Sequence, residues 1–139
     1  LAPDDAALVA SWDRDAETTA HFRRFALVHE ALRPEILALA DEAAMSSLPI
    51  VRHLAMVFPT DVGSRAISDE FMLGDDLLVA PVVTRGATTR DVYFPPGAWF
   101  HVFTGARFDG PGRMTVDAPI GKTPVFARDA DRTDLRAIL

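Results

Sequence analysis

The side chains that could carry out chemistry in this chain are its carboxylates, its four histidines and a few aromatic residues. A pair of carboxylates can supply a nucleophile and a general acid. The twenty Asp and Glu residues, however, fall in segments with the composition of loops, turns and helix surfaces. Acidic side chains in such segments are usually solvated. We therefore predict that the chain contains no catalytic residue.

Metal and phosphate sites are not predicted either. The chain has no cysteine, and His21 and His29 stand eight positions apart, whereas two metal ligands on one helical face are four apart. The glycine-containing segments at 74–76 and 109–112 are turn sequences, because no helix with a Lys and a Ser or Thr follows them. We expect no cofactor.

Three residues are candidates for contact with a substrate: Arg52, Asp61 and Trp99. Arg52 could instead pair with a buried carboxylate outside this chain, and Asp61 could cap or turn a loop. Trp99, with Phe100 and Phe103, could form a flat surface that stacks on a sugar. Aromatic residues in a strand more often form the core, and we favour that interpretation.

The overall charge and hydropathy exclude two classes of partner. The formal net charge is −6, and there is one lysine, so a basic surface for nucleic acid is not expected. No apolar run approaches the roughly 20 residues of a membrane span. The lack of cysteine fits a reducing compartment, and we expect a cytoplasmic protein. Because the chain starts with Leu1 and ends in apolar residues, we interpret it as part of a longer parent, whose secretion signal stays an open alternative.

The first part of the chain has helical periodicity. Apolar residues recur three and four positions apart, which predicts an amphipathic helix; they are Phe22, Phe25, Val28, Leu32, Ile36, Leu39 and Ala43. Pro34 falls inside this stripe, so we predict two helices or one kinked helix. Residues 50–58 form an apolar run between two prolines, which predicts a buried strand.

The second part has the pattern of short strands separated by turns. The predicted strands are residues 71–73, 77–83, 89–94, 98–103, 113–116 and 124–127. We place a domain boundary in the polar stretch 61–68, giving residues 1–68 and 69–139. The fold class is α+β. A helix and one buried strand cannot cover their own apolar surface, so we expect the first part to be incomplete alone.

Several motifs resemble the C-terminal part of glycoside hydrolase family 31. In the first part they are residues 22–34 (FRRFALVHEALRP), 49–52 (PIVR) and 57–61 (VFPTD). In the second part they are residues 71–82 (FMLGDDLLVAPV), 86–100 (GATTRDVYFPPGAWF), 103–105 (FTG), 118–120 (API) and 124–128 (PVFAR). The segment 71–82 is the most specific of them.

The resemblance implies a fold and a role for the parent. The helices and residues 50–58 would be the end of a (β/α)8 barrel, with Arg52 and Asp61 on its active-site side, followed by an antiparallel β-sandwich. The parent would hydrolyse α-linked glucosides or xylosides with retention, using two aspartates that precede this segment and no cofactor. The chain would support the barrel, its partners being the rest of the parent and the bound α-glycoside. The alternative is a stand-alone, non-catalytic module that binds glycan or a partner protein.

Overall fold

A computed structural model of the protein describes residues 15–138, and its first element is one helix, α1, over Ala16–Ser46. Asp15 caps the helix, because its carboxylate accepts a hydrogen bond from the Thr18 N–H at 2.7 Å. Ser47 ends it in the left-handed conformation. The helix continues through Pro34, so of the two predicted alternatives, two helices or one kinked helix, the structure has a single helix. One proline removes only one hydrogen-bond donor. Apolar residues both before and after Pro34 in the sequence pack against the rest of the chain.

The packing of α1 is one-sided. Leu32 lies against the small apolar cluster of Leu77, Val102, Ala127 and Leu135. The ring of Phe25 lies 6.5 Å from that of Phe103. The opposite side exposes Leu27, Leu37 and Met45, and no residue of the helix is fully buried. The predicted stripe therefore marks a helix laid on a sheet surface.

Residues 50–58 do not form the predicted strand. Strand β1 is only Val51–Arg52, and a short helix, α2, covers Leu54–Val57. His53 starts this helix, since its Nδ1 accepts a hydrogen bond from the Ala55 N–H at 3.1 Å. Leu54 and Phe58 are buried four residues apart, which is helical spacing. Beyond Arg52 the apolar run forms one helical turn. The run is too short for its periodicity to distinguish a helix from a strand.

The strands form one antiparallel sheet. Their bounds are β1 Val51–Arg52, β2 Phe71–Leu73, β3 Leu77–Val79, β4 Thr89–His101, β5 Arg107–Asp117 and β6 Val125–Arg128, in the order β1-β2-β3-β6-β4-β5. A 3-10 helix, Gly63–Ala66, precedes β2, and a short helix, α3, covers Thr133–Arg136. The α+β class is confirmed. The assignment of the first part to a barrel and the boundary at 68/69 stay predictions; β1 pairs with β2 in the same sheet.

Strand β4 folds the sheet into two layers. Its register with β5 shifts between Phe94 and Gly97, so the predicted strand 89–94 and the first four residues of the predicted strand 98–103 belong to one bent strand. Residues 102 and 103 lie in the turn that follows. Phe126 of β6 pairs with His101 of β4. If β4 were straight, His101 would lie about 23 Å from Phe94, because the two residues are seven positions apart. The rings of Phe94 and Phe126 are nevertheless 4.8 Å apart. The first half of β4 therefore lies over the second, as in a β-sandwich.

Candidate functional site

Arg52 is the buried centre of an ionic cluster between α1 and the sheet. Its Nη2 donates to Glu42 of α1 at 2.6 Å, its Nη1 donates to Asp75 in the β2–β3 turn, and its Nε donates to the Pro49 carbonyl at 2.8 Å. Burial alone would lower the pKa of Arg52, but the hydrogen bonds to Glu42 and Asp75 raise it above its usual value. Both partner carboxylates belong to this chain, whereas the sequence-based alternative to substrate contact placed the partner of Arg52 outside it. Arg52 thus attaches the helix to the sheet, and a contact with substrate stays a prediction.

Asp61 is the acceptor of a second cluster. Its Oδ2 accepts from Ser64 Oγ at 2.6 Å and from Tyr93 Oη at 2.8 Å, and its Oδ1 accepts from the Gly63 N–H at 3.2 Å. Burial would raise the pKa of Asp61, but these hydrogen bonds lower it below its usual value. Burial and the bond to Asp61 raise the pKa of Tyr93 to about 12. The carboxylate therefore joins the loop before the 3-10 helix to β4.

Gly63 allows this cluster to close. A Cβ atom built on Gly63 would lie 2.1 Å from the hydroxyl oxygen of Tyr93. No real contact is that short, so the tyrosine reaches Asp61 only because residue 63 has no side chain. Asp61 turns the loop, which is one of the two roles that the sequence suggested for it. Its contact with a substrate stays a prediction.

Glu70, which the sequence analysis did not single out, is a buried acid under β4. It is 4% exposed, and its Oε1 accepts a hydrogen bond from the Tyr93 N–H at 2.9 Å. Its Oε2 has no hydrogen-bond partner among residues 15–138. Burial raises the pKa of Glu70 to about 7, against the smaller opposing effect of the Tyr93 N–H. A signal was present, since alternation from the buried Met72 in the middle of β2 places residue 70 on the same buried face.

Trp99 is inaccessible to a sugar. Its side chain is fully buried, its Nε1 donates to the Pro95 carbonyl at 2.8 Å, and its ring lies 6.0 Å from that of Phe58. Stacking on a pyranose needs an exposed ring face. Trp99 is packed as core, which is the interpretation that the sequence analysis favoured, while Phe100 and Phe103 are partly exposed.

The three candidate residues have separate sets of partners. Arg52 contacts α1 and the β2–β3 turn, Asp61 contacts the 3-10 helix and β4, and Trp99 contacts the bulge of β4. Over residues 15–138, no group of three or more His, Asp or Glu side chains is placed to hold a metal ion. In the same range, no helix is long and apolar enough to span a membrane. What these clusters do within the chain is hold its elements together.

Comparison with known proteins assigns the chain to a family. The family model described as the glycosyl hydrolase family 31 C-terminal domain matches residues 47–130, more than half of the chain. The chain belongs to glycoside hydrolase family 31. The resemblance stated from the motifs is thereby confirmed.

Relatives in family 31 are much longer than this chain. The sulfoquinovosidase of Escherichia coli strain K12 is 41% identical over 117 residues, which are 84% of this chain and 17% of that protein. A family 31 sulfoquinovosidase from E. rectale, solved with an aza-sugar inhibitor, has a TM-score of 0.86 and 32% identity over 92% of this chain and 20% of that one. An α-xylosidase from a soil metagenome, solved with xylose, has a TM-score of 0.83 and 34% identity over 92% and 19%. The chain spans at most a fifth of these proteins.

Proposed function

We propose that this family 31 chain is the C-terminal segment of a retaining α-glycosidase acting on α-linked glucosides or xylosides, and that it supports the catalytic barrel. One observation carries the proposal: the match to the family's C-terminal domain in a chain that covers only 17% and 20% of the two sulfoquinovosidases compared above. Substrate and reaction outcome would then be set by residues outside this chain. A cytoplasmic location belongs to the same proposal.

The one-sided packing of α1 supports this role. Arg52 and the sheet hold one side of the helix, while Leu27, Leu37 and Met45 on the other side are 49%, 56% and 84% exposed. Three large apolar side chains on one helix are costly to leave in water. The helix also lies outside the residues that the C-terminal domain model matches. We assign this exposed side of α1 to contact with the barrel.

Reconstitution of the parent from two pieces tests the proposal. The 139-residue chain alone should hydrolyse no chromogenic α-glucoside, α-xyloside or α-sulfoquinovoside, the last included because two relatives are sulfoquinovosidases. Adding the upstream part of the parent should restore hydrolysis of one of them. Replacing Leu27 and Met45 together with glutamine should weaken that restoration but leave the stability of the chain unchanged. Hydrolysis by the chain alone would refute the proposal.

The alternative of a stand-alone binding module makes a different prediction. It relied on an aromatic strand surface, and the burial of Trp99 removes the main side chain of that surface. We therefore expect no measurable affinity of the isolated chain for α-linked oligosaccharides by calorimetry. Saturable glycan binding by the chain alone would favour the module over the support role.

A further inference from the structure

Glu70 has the surroundings of a buried acid that its neighbours do not fully compensate. One carboxyl oxygen accepts a hydrogen bond from the Tyr93 N–H at 2.9 Å, and the other has no donor in the part of the chain that the structure describes. Burial costs a charged carboxylate with an unsatisfied oxygen more free energy than it costs the neutral acid, because desolvation penalises the charged form. The free energy of the folded state should therefore depend on whether Glu70 carries a proton.

The charged groups around Glu70 come from its own segment and from two strands. Arg90 of β4 attracts it, Asp69 beside it repels it, and Arg113 of β5 attracts it weakly. Arg90 pairs with Asp69 through one nitrogen, because its Nη2 lies 2.5 Å from Asp69 Oδ2 and donates to the Asp69 carbonyl oxygen at 3.2 Å. Its buried Nε has no hydrogen-bond partner among the described residues, so it does not donate to Glu70. Arg90, the cation with the largest effect on Glu70, therefore forms its ion pair with Asp69 and not with Glu70.

Tyr93 connects Glu70 to the rest of the loop. The same residue donates its N–H to Glu70 and its hydroxyl to Asp61, so it fixes both ends of residues 61–70 to β4. We propose that Glu70 makes the attachment of residues 61–70 to β4 pH-sensitive, tight in acidic solution and progressively weaker as the pH rises toward neutrality. This device lies within the chain itself and does not depend on the proposed support role.

The direction of the effect follows from proton binding. Burial raises the pKa of Glu70 to about 7 in the folded chain, from the ordinary value of 4.5. Between these values the folded state binds more protons than the unfolded state, so stability falls as pH rises. His101 acts in the opposite direction, because its burial lowers its pKa. A comparison of the wild-type chain with Glu70→Gln cancels His101, which both contain.

Chemical unfolding of the two chains across pH is the test. From about pH 5 to about pH 8.5, the unfolding equilibrium constant of the wild-type chain should rise about 70-fold relative to that of Glu70→Gln. The matched control is Glu30→Gln, an exposed glutamate on α1, whose curve should stay parallel to wild type. Amide hydrogen exchange should show the loss of protection at Tyr93 and in residues 61–70 of the wild-type chain only. Parallel curves for wild type and Glu70→Gln would overturn the proposal.

A second measurement covers the case in which Glu70→Gln does not fold. The carboxyl carbon of Glu70 can be titrated by NMR in the wild-type chain, where its chemical shift reports protonation directly. A midpoint near neutrality supports the proposal. A midpoint at the ordinary value of 4.5 would refute it.

Discussion

Replacing Arg52 with alanine should destabilise the chain by about 3 kcal/mol. The change removes three hydrogen bonds, to Pro49, Glu42 and Asp75. Bonds to charged groups contribute about 1.5 to 3 kcal/mol each, but Glu42 and Asp75 are 39% and 58% exposed and regain water, so we count about 1 kcal/mol for each of the three bonds.

The free energy of unfolding in urea, followed by circular dichroism at neutral pH, measures this loss. Arg33→Ala is the matched control, since Arg33 pairs with Glu30 on the outer surface of α1 where both side chains are more than 60% exposed. It should change stability by less than about 0.5 kcal/mol. A double-mutant cycle of Arg52→Ala with Glu42→Gln should give a coupling of at least about 0.5 kcal/mol. A loss below about 1 kcal/mol for Arg52→Ala would show that the cluster does not hold the helix.

Three further changes test the other contacts. Gly63→Ala should cost about 1 to 3 kcal/mol in a urea titration, because its Cβ would overlap the hydroxyl and the adjoining ring carbons of Tyr93. In a Tyr93→Ala background the same change should cost clearly less, and an equal cost in both backgrounds would contradict the overlap. Asp61→Asn should reduce the fall in the free energy of unfolding below about pH 4. Because the pKa of Asp61 is lowered in the folded chain, its carboxylate stabilises the fold fully above the ordinary aspartate pKa, and this stabilisation is lost as the pH falls through the folded pKa. An unchanged acid-unfolding midpoint would contradict this. Phe25→Ala should lower stability by about 1 to 2 kcal/mol, less than a core phenylalanine, because its ring is only partly buried; an unchanged melting temperature would show that α1 is not packed there.

The sequence predicted strands well where the alternation was uninterrupted and poorly where turn residues fell inside a strand. Residues 71–73 form β2 as predicted, whereas the predicted strand 77–83 ends at Val79. The segment at 109–112 was read as a turn but lies within β5. Gly110 there approaches the Pro95 carbonyl so closely that an added Cβ would lie 1.9 Å from its oxygen. Two apparent turns therefore face each other across one bulge, which a single-strand pattern cannot show.

The candidate residues were predicted to different depths. Arg52 was expected to pair with a carboxylate, but its partners lie 10 and 23 positions away, and only tertiary structure brings them together. Asp61 was expected to turn a loop, and it does, although nothing local indicated Tyr93. Glu70 went unnoticed because an acidic residue beside Asp69 looks like part of a solvated turn. Its burial follows from alternation with Met72, which is a weak signal in a three-residue strand.

The strand and helix at the start of the chain were both expected to need partners outside it, but the structure shows that they differ in this respect. Strand β1 finds its neighbour within the chain, since Val51 and Arg52 pair with Leu73 and Met72. Helix α1 does not become equally covered, because the sheet occupies one side only. A helix held by two ionic contacts, Glu42 with Arg52 and Glu35 with Arg132, and by a few half-buried apolar contacts gains little from its outer face. Its stability should therefore be the lowest among the long elements. The physical case for a missing partner therefore comes from the uncovered side of α1 and no longer from a lone strand.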